Sequence, residues 1–256
     1  MKFQELKDYL ESKYQQYNDI SFIENDPISI PHQYTDKLDI EISGFLAATL
    51  AWGQRSVIIR NTNQLLTWMD HDPGNFIRNF QSSDLKCFRD FKHRTFNGTD
   101  CFTFLKALQH IIRTFGDLES AFCGKDSEPH KNMNVPISRF RSIFLSIPHE
   151  HRTEKHLPDP LSGSASKRMN MYLRWMVRKD PSGVDFGIWN QMSSSDLILP
   201  LDVHTGRVAR RLGLLKRKQD DWTSALEVTE SLKRFDKNDP VKYDFALFGA
   251  GVNGEL

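Results

Sequence analysis

The sequence predicts an all-α protein. Three observations carry that reading: apolar residues recur three and four positions apart in successive segments, alternation of apolar and polar residues is nearly absent, and capping residues precede several of the periodic runs. Asp39 to Trp52 places residues 42, 45, 46 and 50 on one helical face, with alanines around them. Val57 to Met69 continues through Ile58, Ile59, Leu65 and Leu66. Asp100 is positioned to cap a helix whose stripe is Phe104, Leu105, Leu108, Ile111, Ile112 and Phe115. Gly116 ends that helix, and Asp117 to Cys123 forms one further short turn of helix. Ser166 to Val177, Asp202 to Leu215, Trp222 to Phe235 and Val241 to Phe248 complete the helices. Loops are expected around residues 71–75, 124–136, 148–165, 180–200 and 236–240.

Composition bounds the possibilities. The 256 residues suffice for one large domain or two small ones, and 39% hydrophobic with 26% charged residues is ordinary for a folded globular chain. The net charge of +1 names no partner, but its distribution is uneven. Leu161 to Lys218 holds eleven Lys/Arg against four Asp/Glu, whereas the first fifty residues hold nine acids and four bases. A basic segment on an acidic protein can orient a polyanion. No apolar run reaches the length of a membrane span, and Met1 to Tyr14 has no signal-peptide pattern, so a cytoplasmic protein is expected. Three scattered cysteines, Cys87, Cys101 and Cys123, exclude a disulfide scaffold and a four-thiolate metal site. No metal and no cofactor are expected.

Three strings could carry chemistry. Leu161 to Lys167 (Leu-Ser-Gly-Ser-Ala-Ser-Lys) is a small-residue turn leading into a helix. The amides of Gly163, Ala165 and Ser166 are unshielded and can approach a phosphate. Lys167 falls at the helix start, where the dipole disfavours an ammonium and so suits a nucleophilic amine, with Arg168 beside it. The same letters also fit a surface loop followed by a solvated lysine. Leu199 to Arg207 (Leu-Pro-Leu-Asp-Val-His-Thr-Gly-Arg) puts Asp202 at a helix start, where an aspartate is first of all an N-cap. His204 and Arg207 add groups that bind phosphate, and an apolar lead-in makes Asp202 an electrostatic stabiliser as well. Trp52-Gly53-Gln54-Arg55 combines a stacking ring, an amide that can reach a base edge and a guanidinium for phosphate. Trp52 reads equally as a core residue. Asp70-His71-Asp72 precedes Pro73-Gly74 and reads as a turn, and His149-Glu150-His151 lacks the one-turn spacing of a zinc helix.

Taken in order, these strings resemble the helix-hairpin-helix DNA glycosylase superfamily. Leu161 to Lys167 lines up with its Leu-Pro-Gly-Val-Gly-x-Lys hairpin, and Leu199 to Arg211 with its Val-Pro-Val-Asp-Val/Thr-His string and the helix that follows. Trp52-Gly53-Gln54 is similar to the Ser-Ala-Gln or Ser-Gln-Gln string, and Tyr243 to Gly249 to the last helix. The likeness spans residues 40–256. Ser162 stands for the hairpin proline and Ala165 for its second glycine. Lys167 and Asp202 are 35 positions apart, with the extra length in Asp180 to Ser195, which is more like the archaeal 8-oxoguanine glycosylase branch. The string from Arg94 to Asp100 also looks like a related bacterial family without a well-assigned activity.

The resemblance implies two helical subdomains with a helix-hairpin-helix element and an interdomain cleft. Residues 36–180 would form one subdomain, 1–35 plus 198–256 the other, and 181–197 a linking loop. It implies a DNA glycosylase with AP-lyase activity in base excision repair, acting on double-stranded DNA that contains a damaged base. An oxidised purine such as 8-oxoguanine ranks first. Lys167 would be the nucleophile and Asp202 its electrostatic partner. Gln54, Arg55, Gly163, Ala165, Ser166, Arg168, His204 and Arg207 would hold DNA, and Trp52, Phe186 and Trp189 would line the base pocket. No obligatory protein partner is implied, and the protein would sit on the nucleoid when bound. A non-catalytic DNA-binding protein of the same fold and a helical protein-interaction module are the rival readings.

Overall fold

The computed structural model describes residues 1–124 and 133–255 and is mostly helical. The helices run α1 (Phe3–Tyr17), α2 (Ser21–Glu24), α3 (Lys37–Leu50), α4 (Arg55–Thr67), α5 (Pro73–Asn79) and α6 (Gly98–Phe115). They continue as α7 (Leu118–Cys123), α8 (Asn134–Phe144), α9 (Lys167–Val177), α10 (Val203–Arg211), α11 (Trp222–Lys233) and α12 (Tyr243–Val252). The strands are β1 (Lys92–His93) and β2 (Phe96–Asn97), an antiparallel pair that matches Lys92 with Asn97 and His93 with Phe96. None of the described helices is long and apolar enough to cross a membrane.

The chain divides into two compact units. One holds Met1–Glu24, residues 130–133 and Pro160–Leu256, and the other holds Asn25–Pro129 and Asn134–Asp159. The boundaries differ from those expected from sequence. Residues 160–180 go with the C-terminal helices because the Trp222 amide donates to the Gly163 carbonyl (3.0 Å) and Arg174 on α9 binds Asp244 on α12. The expected linking loop is anchored rather than free-running, since the amides of Phe186 and Trp189 donate to the carbonyls of Trp175 and Met176. Residues 25–35 belong to the other unit, where Ile28 and Ile30 are fully buried in short 3₁₀ turns beside α3.

The unit built on residues 25–159 centres on α3, which Asp36 caps through the Leu38 amide (2.9 Å). Twelve of its fourteen residues are buried, Glu41, Ser43 and Thr49 among them, so the helix is covered nearly all round rather than along one stripe. Phe45 packs edge-on to Phe140 (5.4 Å between centroids), Phe104 edge-on to Phe144 (4.7 Å), and Phe122 lies flat on Phe140 (4.0 Å). α6 starts one turn earlier than the sequence suggests. Asn97 is its N-cap, and Asp100 closes a capping box by accepting from the Asn97 amide (2.9 Å). Asp100 is fully buried, and Thr153 and Arg152 also donate to it. α5 and α8 begin inside segments expected to be loops: Asp72 caps α5 ahead of Pro73, and α8 occupies residues 134–144. The rest of the expected 124–136 loop, residues 125–132, lies outside the described residues.

The other unit packs α1 and α10 against α12. α1 is absent from the sequence reading because only Leu6 and Leu10 of its fifteen residues are buried. Gly249 on α12 sits under the Tyr17 ring, where a Cβ would come within 2.3 Å of the ring carbons. At the end of α12, the Gly251 carbonyl accepts from Arg207 of α10 (2.8 Å). α10 stops at Arg211, four residues short of expectation, because Gly213 turns the chain with φ +75°.

Candidate active site

The turn before α9 is built from small residues under constraint. Pro160–Ser162 forms a 3₁₀ turn, Gly163 takes φ +89°, and Ser164 bridges to Asp221 at the cap of α11. Only glycine enters the Gly163 conformation without strain. Ser166 enters the left-handed region too (φ 47°, ψ 37°) and is fully buried. Its carbonyl accepts the Met169 and Asn170 amides at 3.0 Å each, while its hydroxyl does not cap the helix. Asn170 ties the turn down by donating to the Ala165 carbonyl (3.0 Å). Leu161, Ser162 and Gly163 are exposed.

Lys167, the first residue of α9, reaches Asp202. Its Nζ lies 3.6 Å from Asp202 Oδ2, with the two side chains 29% and 23% exposed. Asp202 is also the N-cap of α10: its other oxygen, Oδ1, accepts from the amides of His204 (2.9 Å) and Thr205 (3.0 Å). The carboxylate is thus both a cap and an ion partner, and the two amides fix its orientation. A partly open lysine–carboxylate pair can supply an amine nucleophile next to a fixed negative charge. Val203 and His204 face solvent beside it, Val203 at 72% exposure.

Behind the pair, a ladder of buried charges runs along α9. Arg174 pairs with Asp244 and lies 3.3 Å from Asp185, and Arg178 reaches Asp185 (2.9 Å), Asp239 (2.8 Å) and the Tyr14 hydroxyl (2.8 Å). The Arg174 guanidinium also stacks over the Phe245 ring at 4.3 Å. Burial pushes the Asp244 carboxyl up to about 6, with Arg174 and Lys167 opposing the shift and Asp202 adding to it. None of these buried charges stands out in the sequence motifs. The available signal is a charge set between large apolar neighbours, as in Leu173-Arg174-Trp175 and Tyr243-Asp244-Phe245.

The remaining candidates divide. Arg168 follows Lys167, half-exposed, and desolvation brings its guanidinium down to about 10. Arg207 is exposed but tethered to α12, and Arg210 is occupied by Arg217, Gln219 and Asp220. Phe186 is half-buried at the end of α9. Trp189 is fully buried, edge-on to Tyr172 (5.5 Å), which makes it a core residue and removes it as a stacking surface for a base. Trp52, Gln54 and Arg55 belong to the other unit. Trp52 is half-buried, stacked on His156 (5.7 Å, 23°) and edge-on to His93 (5.0 Å), Gln54 is exposed, and Arg55 leans towards Asp26 at 3.9 Å. No group of three or more His, Cys, Asp or Glu residues among those described could hold a metal ion.

A family model described as "Protein of unknown function (DUF2400)" matches residues 26–253. No curated protein and no solved structure matches the chain.

Proposed function

The chain belongs to the DUF2400 family, and for this member we propose a DNA glycosylase activity with an associated AP-lyase step. The observation that carries the proposal is the 3.6 Å approach of Lys167 Nζ to an Asp202 carboxylate whose other oxygen is committed to the helix cap. A target nucleotide is extruded from the duplex before reaction. Lys167, as the amine, attacks C1′, the bond from C1′ to the base nitrogen breaks, and the base leaves with its electron pair. One of the two protons on the resulting ammonium passes to the departing base, and the C1′–O4′ bond then breaks as O4′ takes up a proton, leaving a protonated Schiff base between Lys167 and the opened sugar. β-Elimination from that Schiff base then expels the 3′ phosphate. Asp202, aimed by the His204 and Thr205 amides, stabilises the positive charge that develops on the sugar.

The turn ahead of α9 supplies exposed backbone at Gly163 and a helix N-terminus, both suited to a phosphodiester. The eleven cations between Leu161 and Lys218 favour a polyanionic partner. In the other unit, Trp52, Gln54 and Arg55 offer a ring, an amide and a guanidinium to nucleic acid. An oxidised purine such as 8-oxoguanine is the substrate proposed first, on the sequence resemblance. One observation favours a second reading, a DNA-binding protein without turnover: Ser166 occupies a left-handed position that glycine fits better, so the turn departs from an unstrained phosphate-binding hairpin.

Borohydride trapping on duplexes carrying 8-oxoguanine, uracil, an oxidised pyrimidine or an abasic site tests the proposal. A covalent adduct on one damaged base, present in the wild type and lost in Lys167→Met, is expected. Absence of any adduct together with absence of base release overturns it. Salt-sensitive duplex binding in that case supports the second reading.

A further inference from the structure

Most positions of the string Arg94 to Asp100 have a duty inside the unit built on residues 25–159. Phe96 is buried edge-on to Phe104 (5.1 Å), Asn97 caps α6, and Asp100 closes that capping box. Gly98 lies so close to Arg89 that a Cβ would stand 2.0 Å from the Arg89 carbonyl oxygen. The Thr95 carbonyl accepts from Arg152 (2.9 Å). Arg94 has no such duty: it is exposed, and among the described residues it meets no hydrogen-bond or ion-pair partner. Its backbone is nonetheless strained. The pairing of His93 with Phe96 leaves Arg94 and Thr95 as a two-residue hairpin loop, and Arg94 takes φ 55° there. Glycine, asparagine or aspartate ordinarily fills such a position, so an arginine in it costs the fold stability.

The same hairpin is tied to the turn between α3 and α4. The His93 ring donates to the Trp52 carbonyl (3.2 Å), a direction set by Asn61, whose amide donates to the opposite ring nitrogen (3.0 Å). Gly53, next in that turn, has φ +110°, and a Cβ there would stand 3.2 Å from Arg94 Nη1 and 3.4 Å from its Cδ. The arginine side chain therefore lies along the bare glycine, flanked in sequence by half-buried Trp52 and exposed Gln54.

We infer that Arg94 is a binding residue for a DNA phosphodiester, held ready along Gly53 at the Trp52–Gln54 turn. A guanidinium fork meets two phosphate oxygens at once. The ring and the amide on either side of Gly53 suit a base, and a carboxylate partner would leave both idle. The strained backbone and the glycine seat set the side chain before binding, so less rotamer freedom is lost when phosphate arrives. The inference rests on the DNA-binding reading above and not on the lysine chemistry.

Equilibrium binding of a short fluorescent DNA duplex, read by anisotropy over a series of salt concentrations, tests this without turnover. Wild type is compared with Arg94→Asn, Arg94→Lys and, as a control, Lys106→Gln, which removes an exposed lysine of α6. Arg94→Asn is expected to bind about tenfold more weakly at low salt. It should also flatten the slope of log affinity against log salt by about 0.9, the share of one phosphate. Asparagine suits the left-handed position, so this variant should melt no lower than the wild type. Arg94→Lys keeps the charge without the fork and is expected to restore the slope and part of the affinity. Equal slopes in wild type and Arg94→Asn, or an equal flattening in Lys106→Gln, overturn the inference. Should Arg94→Asn not fold, Arg94→Gln takes its place. A flattened slope in a protein that never traps DNA keeps the inference and removes the glycosylase proposal. Trapping with an unmoved slope does the reverse, and a wild type that binds no duplex removes both.

Discussion

Asp202 serves Lys167 with one carboxylate oxygen and the amides of His204 and Thr205 with the other. Substitutions can separate those duties, because asparagine caps a helix as well as aspartate but carries no charge. Asp202→Asn should melt with the wild type yet lose about 10²–10³-fold in the rate of adduct formation. Asp202→Ala should lose the cap too and cost about 0.5–2 kcal/mol of stability. Denaturant melts beside single-turnover trapping check both outcomes, and equal rates for wild type and Asp202→Asn would refute the charge role.

Lys167 contributes little to the fold, since its ion pair is part-exposed. Lys167→Met should therefore change stability by less than about 1 kcal/mol, the usual ceiling for such a pair. A melt that drops by several kcal/mol would instead make the lysine a structural residue.

Gly249 gives α1 its seat on α12. Its alanine variant would place a methyl group 2.3 Å from the Tyr17 ring, so the two helices must separate or the ring must turn. Gly249→Ala is expected to cost about 1–3 kcal/mol in a urea melt. The double variant with Tyr17→Ala should recover part of that loss, and additive losses would count against the contact.

Asp100 predicts an acid limb. Burial pushes its carboxyl up, but the Asn97 amide, Thr153, His156 and Arg152 outweigh burial and hold it below the ordinary 3.8. A carboxylate with a lowered native value stabilises the fold above its unfolded value. That stability is lost as pH falls through the native value. Wild-type melting temperature should fall as pH drops below about 4, whereas Asp100→Asn should start lower at pH 7 and change less over the same interval. Parallel acid limbs in the two proteins would rule the group out as the cause.

Much of the helical pattern was readable because long amphipathic runs such as Phe104 to Phe115 state their own period. α1 was not: Leu6 and Leu10 alone carry its buried face, and its remaining residues are those of any solvated segment. The reading of the Lys167 and Asp202 strings was local, and the structure puts the two side chains together across 35 positions. Trp189 misled for the opposite reason, since a tryptophan in a polar loop looks free to stack, and only the fold reveals that α9 covers it. Asp244 and Arg174 were hidden inside apolar strings. A buried charge becomes meaningful only when its partner is known, and theirs is 70 residues away.

The first unit is interrupted by the second. α1 leads the chain, but the helix it packs against, α12, follows the whole of residues 25–159. During synthesis the inserted unit can close on itself while α1 still waits for its partner. Leu6 and Leu10 then stay uncovered until α12 leaves the ribosome. Ribosome-bound chains that stop before Tyr243 should hold a folded inserted unit behind an unsettled N-terminal segment, and the order of synthesis becomes the reverse of the order in which the outer unit is completed.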